Sequence, residues 1–158
     1  MSAHYSAVVQ CPIAAVRIGV VTDAEGLQRI LFLNESVPLV SPQSPLAGRV
    51  VAQLAAYFQT AAYAFELPAR ARGTAFQQRV WRAISSIDVG RVATYGDIAK
   101  RLGSSAQAVG NACGVNPLPI LVPCHRVVAK GGLGGFMGQG EGDCLAIKHW
   151  LLRHERAL

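Results

Sequence analysis

The pattern of hydrophobic and polar positions over the first sixty residues predicts a small α/β unit. Residues 14–20 alternate as in a half-buried strand. The residues on its apolar face are Ala14, Val16, Ile18 and Val20. Residues 23–26 provide a turn, and residues 27–33 predict the returning strand. A helix follows, with apolar positions at Leu46, Val50, Leu54 and Phe58.

A polar segment with the sequence LPARARG, residues 67–73, contains both proline and glycine. It predicts a boundary between two domains, residues 1–70 and 71–158. Directly after it, Thr74 and Gln77 have the spacing of a capping box at the start of a helix. The predicted buried positions of this helix are Phe76, Val80, Trp81, Ile84 and Ile87.

Two short helices joined by a tight turn are predicted next. The first covers residues 95–102, is capped by Thr94 and ends at Gly103. The second covers residues 106–113 and ends at Gly114. This spacing is typical of a helix-turn-helix, whose second helix enters a DNA groove. It also fits a helical hairpin that serves only packing, and the residues alone leave both interpretations open.

The last third of the chain contains an apolar run, a glycine-rich stretch and a helical pattern. The run at residues 120–122 predicts that Cys124 lies at the end of a β-rich segment. Residues 130–143 contain seven glycines, which predicts a loop. Residues 145–156 have the period of a helix. Its predicted buried residues are Ile147, Trp150 and Leu151.

The charge and composition narrow the choice of partners. The formal net charge of +6 is suited to a polyanionic partner such as nucleic acid. Hydrophobic residues make up 51% of the chain, which indicates a folded domain. No apolar run approaches the roughly 20 residues that cross a bilayer, and the N-terminus lacks the pattern of a signal peptide. We therefore expect a cytoplasmic protein with no membrane partner.

Several common catalytic motifs are absent from the sequence. The glycine-rich stretch fits neither the GxGxxG pattern nor the P-loop pattern, so phosphate binding there is not predicted. There is no HExxH pattern, and His149 and His154, five residues apart on a helix, do not share a face. We therefore predict neither a cofactor nor a metal site.

A cysteine nucleophile is the chemistry that these exclusions leave. The four cysteines are Cys11, Cys113, Cys124 and Cys144, and none form a CxxC pair. Cys124 is followed by His125, and a thiol attacks alkyl carbon as the thiolate, which needs a base or a positive charge nearby. The residues alone are also compatible with four small core thiols.

The segment NPLPILVPCHRVV, residues 116–128, resembles the active-site signature of the O6-alkylguanine-DNA alkyltransferases. The resemblance covers most of residues 74–158, through the segments GRVATYGDIAKRLG, AVGNACGVNP, GGF and KHWLLRHE. The first 70 residues match loosely, through CPIAAVRIGVV and GLQRILFL. The resemblance implies an α+β fold, with a small ribonuclease-H-like N-terminal α/β part followed by a winged helix-turn-helix C-terminal domain.

The resemblance also implies DNA repair by irreversible, single-turnover transfer of an alkyl group from guanine O6 to Cys124, without a cofactor. His125, acting through a water, would take the thiol proton, and Glu155 would orient His125. Tyr95 would donate to the guanine as it leaves, and Asn116 would brace the turn beneath the site. The implied partner is double-stranded DNA containing alkylated guanine, bound by a monomer.

The implied DNA contacts centre on the helix at residues 106–113, which would enter the minor groove while the damaged nucleotide is flipped out of the stack. The backbone of Cys124 and Val127 would read the edge of the base. The other positions implied in DNA or base contact are Tyr95, Ala106, Gln107, Ala108, Arg126, Phe136 and Met137.

Two departures from the family pattern affect these expectations. Family members usually have an Arg at the start of the recognition helix, where it fills the space of the extruded base, and this chain has Gln107. We therefore predict weaker base flipping or weaker DNA binding. Residues 136–143 replace a shorter stretch that has a small hydroxylated residue after the aromatic, and Glu141 and Asp143 add negative charge there.

Two other functions fit part of this pattern. Alkyltransferase-like proteins bind lesions without accepting the alkyl group and replace the cysteine, often with Trp. The presence of Cys124 argues against that function, whereas Gln107 favours it. The remaining hypothesis is a plain winged-helix DNA-binding module in which Cys124 is an inert core residue.

Overall fold

The computed structural model describes residues 4–136 and 143–158. The chain divides into two compact units, Met1–Arg72 and Gly73–Leu158, and each contains both helices and strands. Among the described residues, no helix combines the length and the apolar character that crossing a bilayer requires.

Unit 1 (Met1–Arg72) contains a three-stranded antiparallel sheet in the order β1–β2–β3. Its strands are β1 Ala7–Gln10, β2 Val16–Asp23 and β3 Gly26–Asn34. The predicted hairpin of β2 and β3 is confirmed. The predicted strand start at Ala14 is wrong, because Ala15 has a left-handed backbone with φ 62°, which interrupts the extended conformation before β2. The sequence did not predict β1, because its four residues are too few to show a clear alternation.

Helix α1, Pro45–Gln59, packs on this sheet. It begins after Ser44, whose side chain accepts a hydrogen bond from the first turn, with proline at the first helical position. Its buried residues are Ala47, Val50, Leu54 and Tyr57. The predicted positions Leu46 and Phe58 are only half-buried, because successive buried residues are three, four and three positions apart, whereas the predicted stripe used a spacing of four throughout.

Unit 2 (Gly73–Leu158) is mainly helical within its described residues. The helices are α2 Ala75–Ser85, α3 Tyr95–Leu102, α4 Ala106–Gly114 and α5 Asp143–His154. The strands β4 Ala93–Thr94 and β5 Val127–Val128 pair in parallel, and a single 3-10 turn, Cys124–Arg126, precedes β5.

The predicted start of α2 and both predicted ends of α3 are confirmed, whereas α5 begins and ends two residues earlier than predicted. Thr74 and Gln77 form a reciprocal capping box at the start of α2. Thr94 caps α3, and Gly103 ends it with a left-handed φ of 64° that glycine adopts without strain. Ser105 caps α4. Local capping chemistry therefore determines the helix–turn–helix arrangement of α3 and α4.

Helix α2 packs against both α3 and α4, and Trp81 Nε1 donates to the Ala112 carbonyl at 2.9 Å. Two residues that the sequence predicts to be buried, Phe76 and Trp150, are half-buried instead. Phe76 lies in the first turn of α2, and the Trp150 ring stacks on His154 at 5.0 Å between centroids. Both side chains therefore lie at the border between the core and solvent.

The segment before Cys124 forms turns, so the predicted β-rich run is wrong. Ile120 has a left-handed φ of 76°, and the Val122 amide donates to the Leu118 carbonyl at 2.8 Å. The segment contains prolines at 117, 119 and 123, which have no backbone donor for a strand ladder. The turns bring Cys124 into the interior of unit 2.

Candidate active site

Asn116 holds the turns that carry Cys124. Its Oδ1 accepts from the Leu118 amide at 2.9 Å, and its Nδ2 donates to the Val122 carbonyl at 2.9 Å. The same Nδ2 lies 3.2 Å from the Cys124 sulfur. Asn116 is buried, so these hydrogen bonds are shielded from water. One amide therefore both fixes the loop and offers a donor to the thiol.

Cys124 lies at the start of the 3-10 turn and is only 3% exposed. The neighbouring Cys113 thiol of α4 and the burial together raise the pKa of the Cys124 thiol well above its usual value. The Asn116 amide and the positive charge of Lys148 offset only part of this effect. The amide of Asn116 contacts the sulfur of Cys124, and this contact favours the negative charge on Cys124.

His125, the residue after Cys124, forms a buried pair with Glu155. His125 Nε2 lies 2.7 Å from Glu155 Oε2, and both side chains are inaccessible to solvent. Burial lowers the pKa of His125, although Glu155 opposes this effect. His125 is therefore neutral near pH 7, and we assign its proton to Nε2, because the carboxylate requires a donor.

This tautomer leaves His125 Nδ1 as a free acceptor. Nδ1 is buried and has no hydrogen-bond partner within residues 4–136 and 143–158. A buried ring nitrogen with an unused lone pair is suited to accept a proton, directly or through a water. The geometry is that of a base oriented by a carboxylate.

Arg126 supports the same carboxylate. Its Nε donates to Glu155 Oε1 at 2.8 Å, its Nη2 lies 3.2 Å from Oε2, and its Nη1 donates to the Ile87 carbonyl at 2.7 Å. The side chain is only 13% exposed. The guanidinium is therefore engaged inside the protein by a bidentate ion pair, and the DNA contact of Arg126 stays a prediction.

Tyr95, the first residue of α3, lies on the other side of the site. Its Oη donates to the Gly135 carbonyl at 3.2 Å. Burial raises the pKa of Tyr95 to about 12, with a further contribution from the nearby thiols. The phenol therefore stays protonated at any pH at which the protein works, as a group that donates a hydrogen bond requires.

Lys148 is a site residue that the sequence analysis missed. Its side chain is buried, and Nζ donates to the Val127 carbonyl at 2.6 Å and to the Gly135 carbonyl at 2.8 Å. The ammonium also lies 5.8 Å from the centre of the Tyr95 ring. Burial lowers the pKa of Lys148 to about 8.

The sequence contains a signal that could have identified Lys148. Lys148 in α5 and Glu155, directly after its end, continue the helical spacing of the buried Leu151 and Leu152. Charged residues inside an apolar stripe are rare unless they are paired or functional. Reading that stripe for its exceptions would have found both residues.

The predicted DNA-contacting positions differ in their exposure to solvent. Ala106 and Gln107 are exposed at the start of α4, and Ala108 is half-buried. Phe136 is buried, and the Val127 carbonyl already accepts from Lys148. Met137 and Glu141 lie outside the described residues. Among the predicted contacts that the structure describes, Ala106 and Gln107 are the exposed ones.

The described ranges contain no group of three His, Cys, Asp or Glu side chains that could hold a metal ion. The groups found around Cys124 are instead the Asn116 amide on its sulfur, the Lys148 ammonium whose charge acts on it, and the neutral imidazole of the next residue, His125. Together they can stabilise a thiolate and accept its proton, which is the requirement for attack on an electrophilic carbon.

Comparisons with known proteins agree with this chemistry. Residues 75–157 match the family described as "6-O-methylguanine DNA methyltransferase, DNA binding domain". A methylated-DNA--protein-cysteine methyltransferase of Methanosarcina acetivorans is 35% identical over 158 residues, which cover 96% of this chain and 97% of that protein.

Solved structures are similar as well. The O6-methylguanine methyltransferase of Mycobacterium tuberculosis matches with a TM-score of 0.78 and 32% identity, over 94% of this chain and 90% of that chain. The M. tuberculosis OGT in complex with DNA matches with a TM-score of 0.75 and 34% identity, over 94% and 91% of the two chains.

Proposed function

Because the chain belongs to the 6-O-methylguanine DNA methyltransferase family, we propose that it repairs DNA by moving the alkyl group of O6-alkylguanine onto the sulfur of Cys124. The observation that supports the assignment to Cys124 is that its buried sulfur accepts from the Asn116 amide and that the next residue, His125, pairs with Glu155. The product is a thioether, which has no reversal step, so each molecule acts once.

The thiol proton leaves toward His125. The free Nδ1 of His125 accepts it through a water, and the resulting imidazolium is stabilised by Glu155 at Nε2. The Asn116 amide and the Lys148 ammonium stabilise the thiolate. The thiolate then attacks the alkyl carbon, a C–S bond forms, and the C–O6 bond breaks with its electron pair passing to guanine.

The leaving guanine gains negative charge, which Tyr95 neutralises by donating from Oη. In the absence of DNA this hydroxyl donates to the Gly135 carbonyl, so it exchanges one acceptor for another when the base enters. Lys148 positions both the Gly135 carbonyl and Tyr95, because its Nζ donates to that carbonyl and lies against the Tyr95 ring.

The fold supports binding to double-stranded DNA. The α3–α4 arrangement with the β4–β5 pair is the winged helix-turn-helix part, and the sheet of β1–β3 with α1 is the ribonuclease-H-like part. Helix α4 enters the minor groove with Ala106, Gln107 and Ala108, and the base is flipped toward Cys124. Unit 2 contains ten of the fifteen Lys and Arg residues but five of the nine Asp and Glu residues, so positive charge is concentrated there. The protein acts as a monomer.

The test is transfer from a duplex oligonucleotide that contains O6-methylguanine, followed by peptide mass mapping. We expect one methyl group on Cys124 and restored guanine in the DNA. Cys124→Ala should lose transfer and keep DNA binding, whereas Cys11→Ser, a change in unit 1, should keep both. Methylation at another cysteine, or transfer by Cys124→Ala, would contradict the assignment.

A damage-binding function without transfer is the second candidate, and the exposed Gln107 at the start of α4 favours it. The same experiment separates the two. An unmodified protein that binds the lesion in preference to undamaged duplex would identify a sensor, and binding that ignores the lesion would leave only a DNA-binding module.

A further inference from the structure

Tyr95, the proposed donor to the leaving guanine, lies between two positions that carry no side chain. On one edge of its ring is Gly110 of α4, where an added Cβ would lie 3.9 Å from Cδ1 and from Cε1, an ordinary contact. On the other edge is Gly134, where an added Cβ would come within 2.8 Å of Cε2 and 3.2 Å of Oη. Gly134 also has a left-handed φ of 73°, which glycine adopts without strain. The ring is therefore packed tightly against Gly134 and loosely against Gly110.

The backbone around Gly134 is held in place. The carbonyl of the next residue, Gly135, accepts from Tyr95 Oη at 3.2 Å and from Lys148 Nζ at 2.8 Å. An added Cβ at Gly134 would also meet the amide nitrogen of Ala129 at 3.1 Å, and this atom belongs to the backbone. Carbon atoms in contact lie about 3.5 Å or more apart, so the Tyr95 ring would have to retreat by about 0.7 Å toward α4.

We propose that Gly134 is a positioning residue for the alkyl transfer, because its missing side chain determines where the Tyr95 phenol lies. The inference rests on the proposed function, in which the C–O6 bond breaks, its electron pair passes to guanine, and Tyr95 Oη donates to the charge that develops. A displaced phenol would donate less well, since a misplacement of about 1 Å can slow a reaction roughly 100-fold. Gly134 acts on the reaction through Tyr95.

The first experiment measures single-turnover transfer from duplex DNA containing O6-methylguanine, at saturating DNA, for the wild type, Gly134→Ala, Tyr95→Phe and the double variant. We expect Gly134→Ala to slow transfer about 10-fold or more and Tyr95→Phe to slow it about 100-fold. The double variant should be no slower than Tyr95→Phe, because the donor is already absent. A wild-type rate for Gly134→Ala, or losses that multiply in the double variant, would overturn the inference.

Two further variants separate the displaced ring from other effects of the substitution. Gly131→Ala is the matched control in the same segment, since Gly131 is exposed and an added Cβ there meets no heavy atom of the described residues within 4 Å. It should transfer at the wild-type rate. Gly134→Asn carries the same Cβ as alanine but adopts a left-handed φ more readily. It should lose as much activity as Gly134→Ala, and recovery in Gly134→Asn or an equal loss in Gly131→Ala would reject the positioning role.

The second experiment needs no DNA. The protein is prepared with ¹³C-labelled tyrosine rings, and Tyr95→Phe identifies the NMR signal of Tyr95 among those of the four tyrosines. Gly134→Ala should shift this signal, whereas Gly131→Ala should leave it in place. An unshifted Tyr95 signal in Gly134→Ala would contradict the inference. If the wild type transfers nothing, the proposed function fails, and the spectra still decide whether Gly134 determines the position of Tyr95.

Discussion

The two units differ in where they place their charges. In unit 1, Glu25 pairs with Arg70 at 3.2 Å and with Arg72 at 3.1 Å, and all three side chains are more than half exposed. In unit 2, the charges of Glu155 and Lys148 are buried. Four of the five buried polar residues of the described chain belong to unit 2: Asn116, His125, Lys148 and Glu155.

This difference in burial distinguishes charged residues that have no part in the proposed chemistry, in unit 1, from charged residues that surround the candidate acceptor, in unit 2. Exposed ion pairs contribute little to folding, whereas burying a charge carries a desolvation penalty of several kcal/mol. Unit 1 avoids this desolvation penalty, because its core is apolar and its charged side chains lie in water. Unit 2 retains a cluster of buried charges around Cys124, and its preorganised electrostatics explain why that penalty is tolerated.

The largest effect is expected from Glu155→Gln. The change leaves the Arg126 guanidinium without its partner and removes the acceptor that fixes the His125 tautomer. We expect the free energy of unfolding to fall by about 3 kcal/mol and the single-turnover transfer rate to fall about 100-fold or more. Denaturant titration and stopped-flow transfer measure the two effects. An unchanged transfer rate would contradict the role of the pair.

Lys148→Met tests the buried ammonium through pH. Since burial lowers the pKa of Lys148 from 10.5 to about 8, the folded protein releases this proton before the unfolded chain does. Between these values the unfolded state holds more protons, so the free energy of unfolding rises with pH. Across this window the wild type should gain on the order of 3 kcal/mol relative to Lys148→Met. If the free energies of unfolding of the two proteins changed with pH in parallel, burial would not lower the pKa of Lys148.

Gln107→Arg sharpens the comparison within unit 2, because this residue is exposed and belongs to no buried pair of the described chain. We expect severalfold faster transfer from duplex DNA, since Arg adds charge and a planar surface to fill the gap left by the flipped base. Stability should not change. A transfer rate equal to or below that of the wild type would refute this account of Gln107.

The smallest effect is expected from Glu25→Gln, the matched control for Glu155→Gln. The same chemical change removes an exposed ion pair in unit 1, so the free energy of unfolding should change by less than about 1 kcal/mol. The transfer rate should stay at the wild-type value. If Glu25→Gln lowered the free energy of unfolding or the transfer rate as much as Glu155→Gln does, the exposure of a charge would not explain the difference between the two units.

The elements with local signals were predicted well. The capping boxes at Thr74 and Thr94 and the turn at Gly103 depend on residues a few positions apart, and the structure contains all of them. The strand start at Ala14 and the β-rich run before Cys124 were wrong. In both places an apolar pattern was read as a strand, although backbone geometry or prolines prevent it.

The site required long-range contacts that no local pattern specifies. His125 meets Glu155 across thirty positions, Lys148 meets Val127 across twenty-one, and Arg126 meets the Ile87 carbonyl across thirty-nine. The resemblance to the alkyltransferases named Cys124, His125 and Glu155, but nothing in it indicated that Arg126 turns inward.

The sequence by itself determined the local elements, the concentration of positive charge in the second half and the identity of the candidate acceptor. Hydrogen bonds within one turn and the spacing of apolar residues are short-range effects, so they can be read from the order of the residues. Only the tertiary structure decided which charges are buried, that Lys148 belongs to the site and that Arg126 binds Glu155. Burial and electrostatic coupling depend on distances in space, and folding sets those distances by packing segments that are remote along the chain.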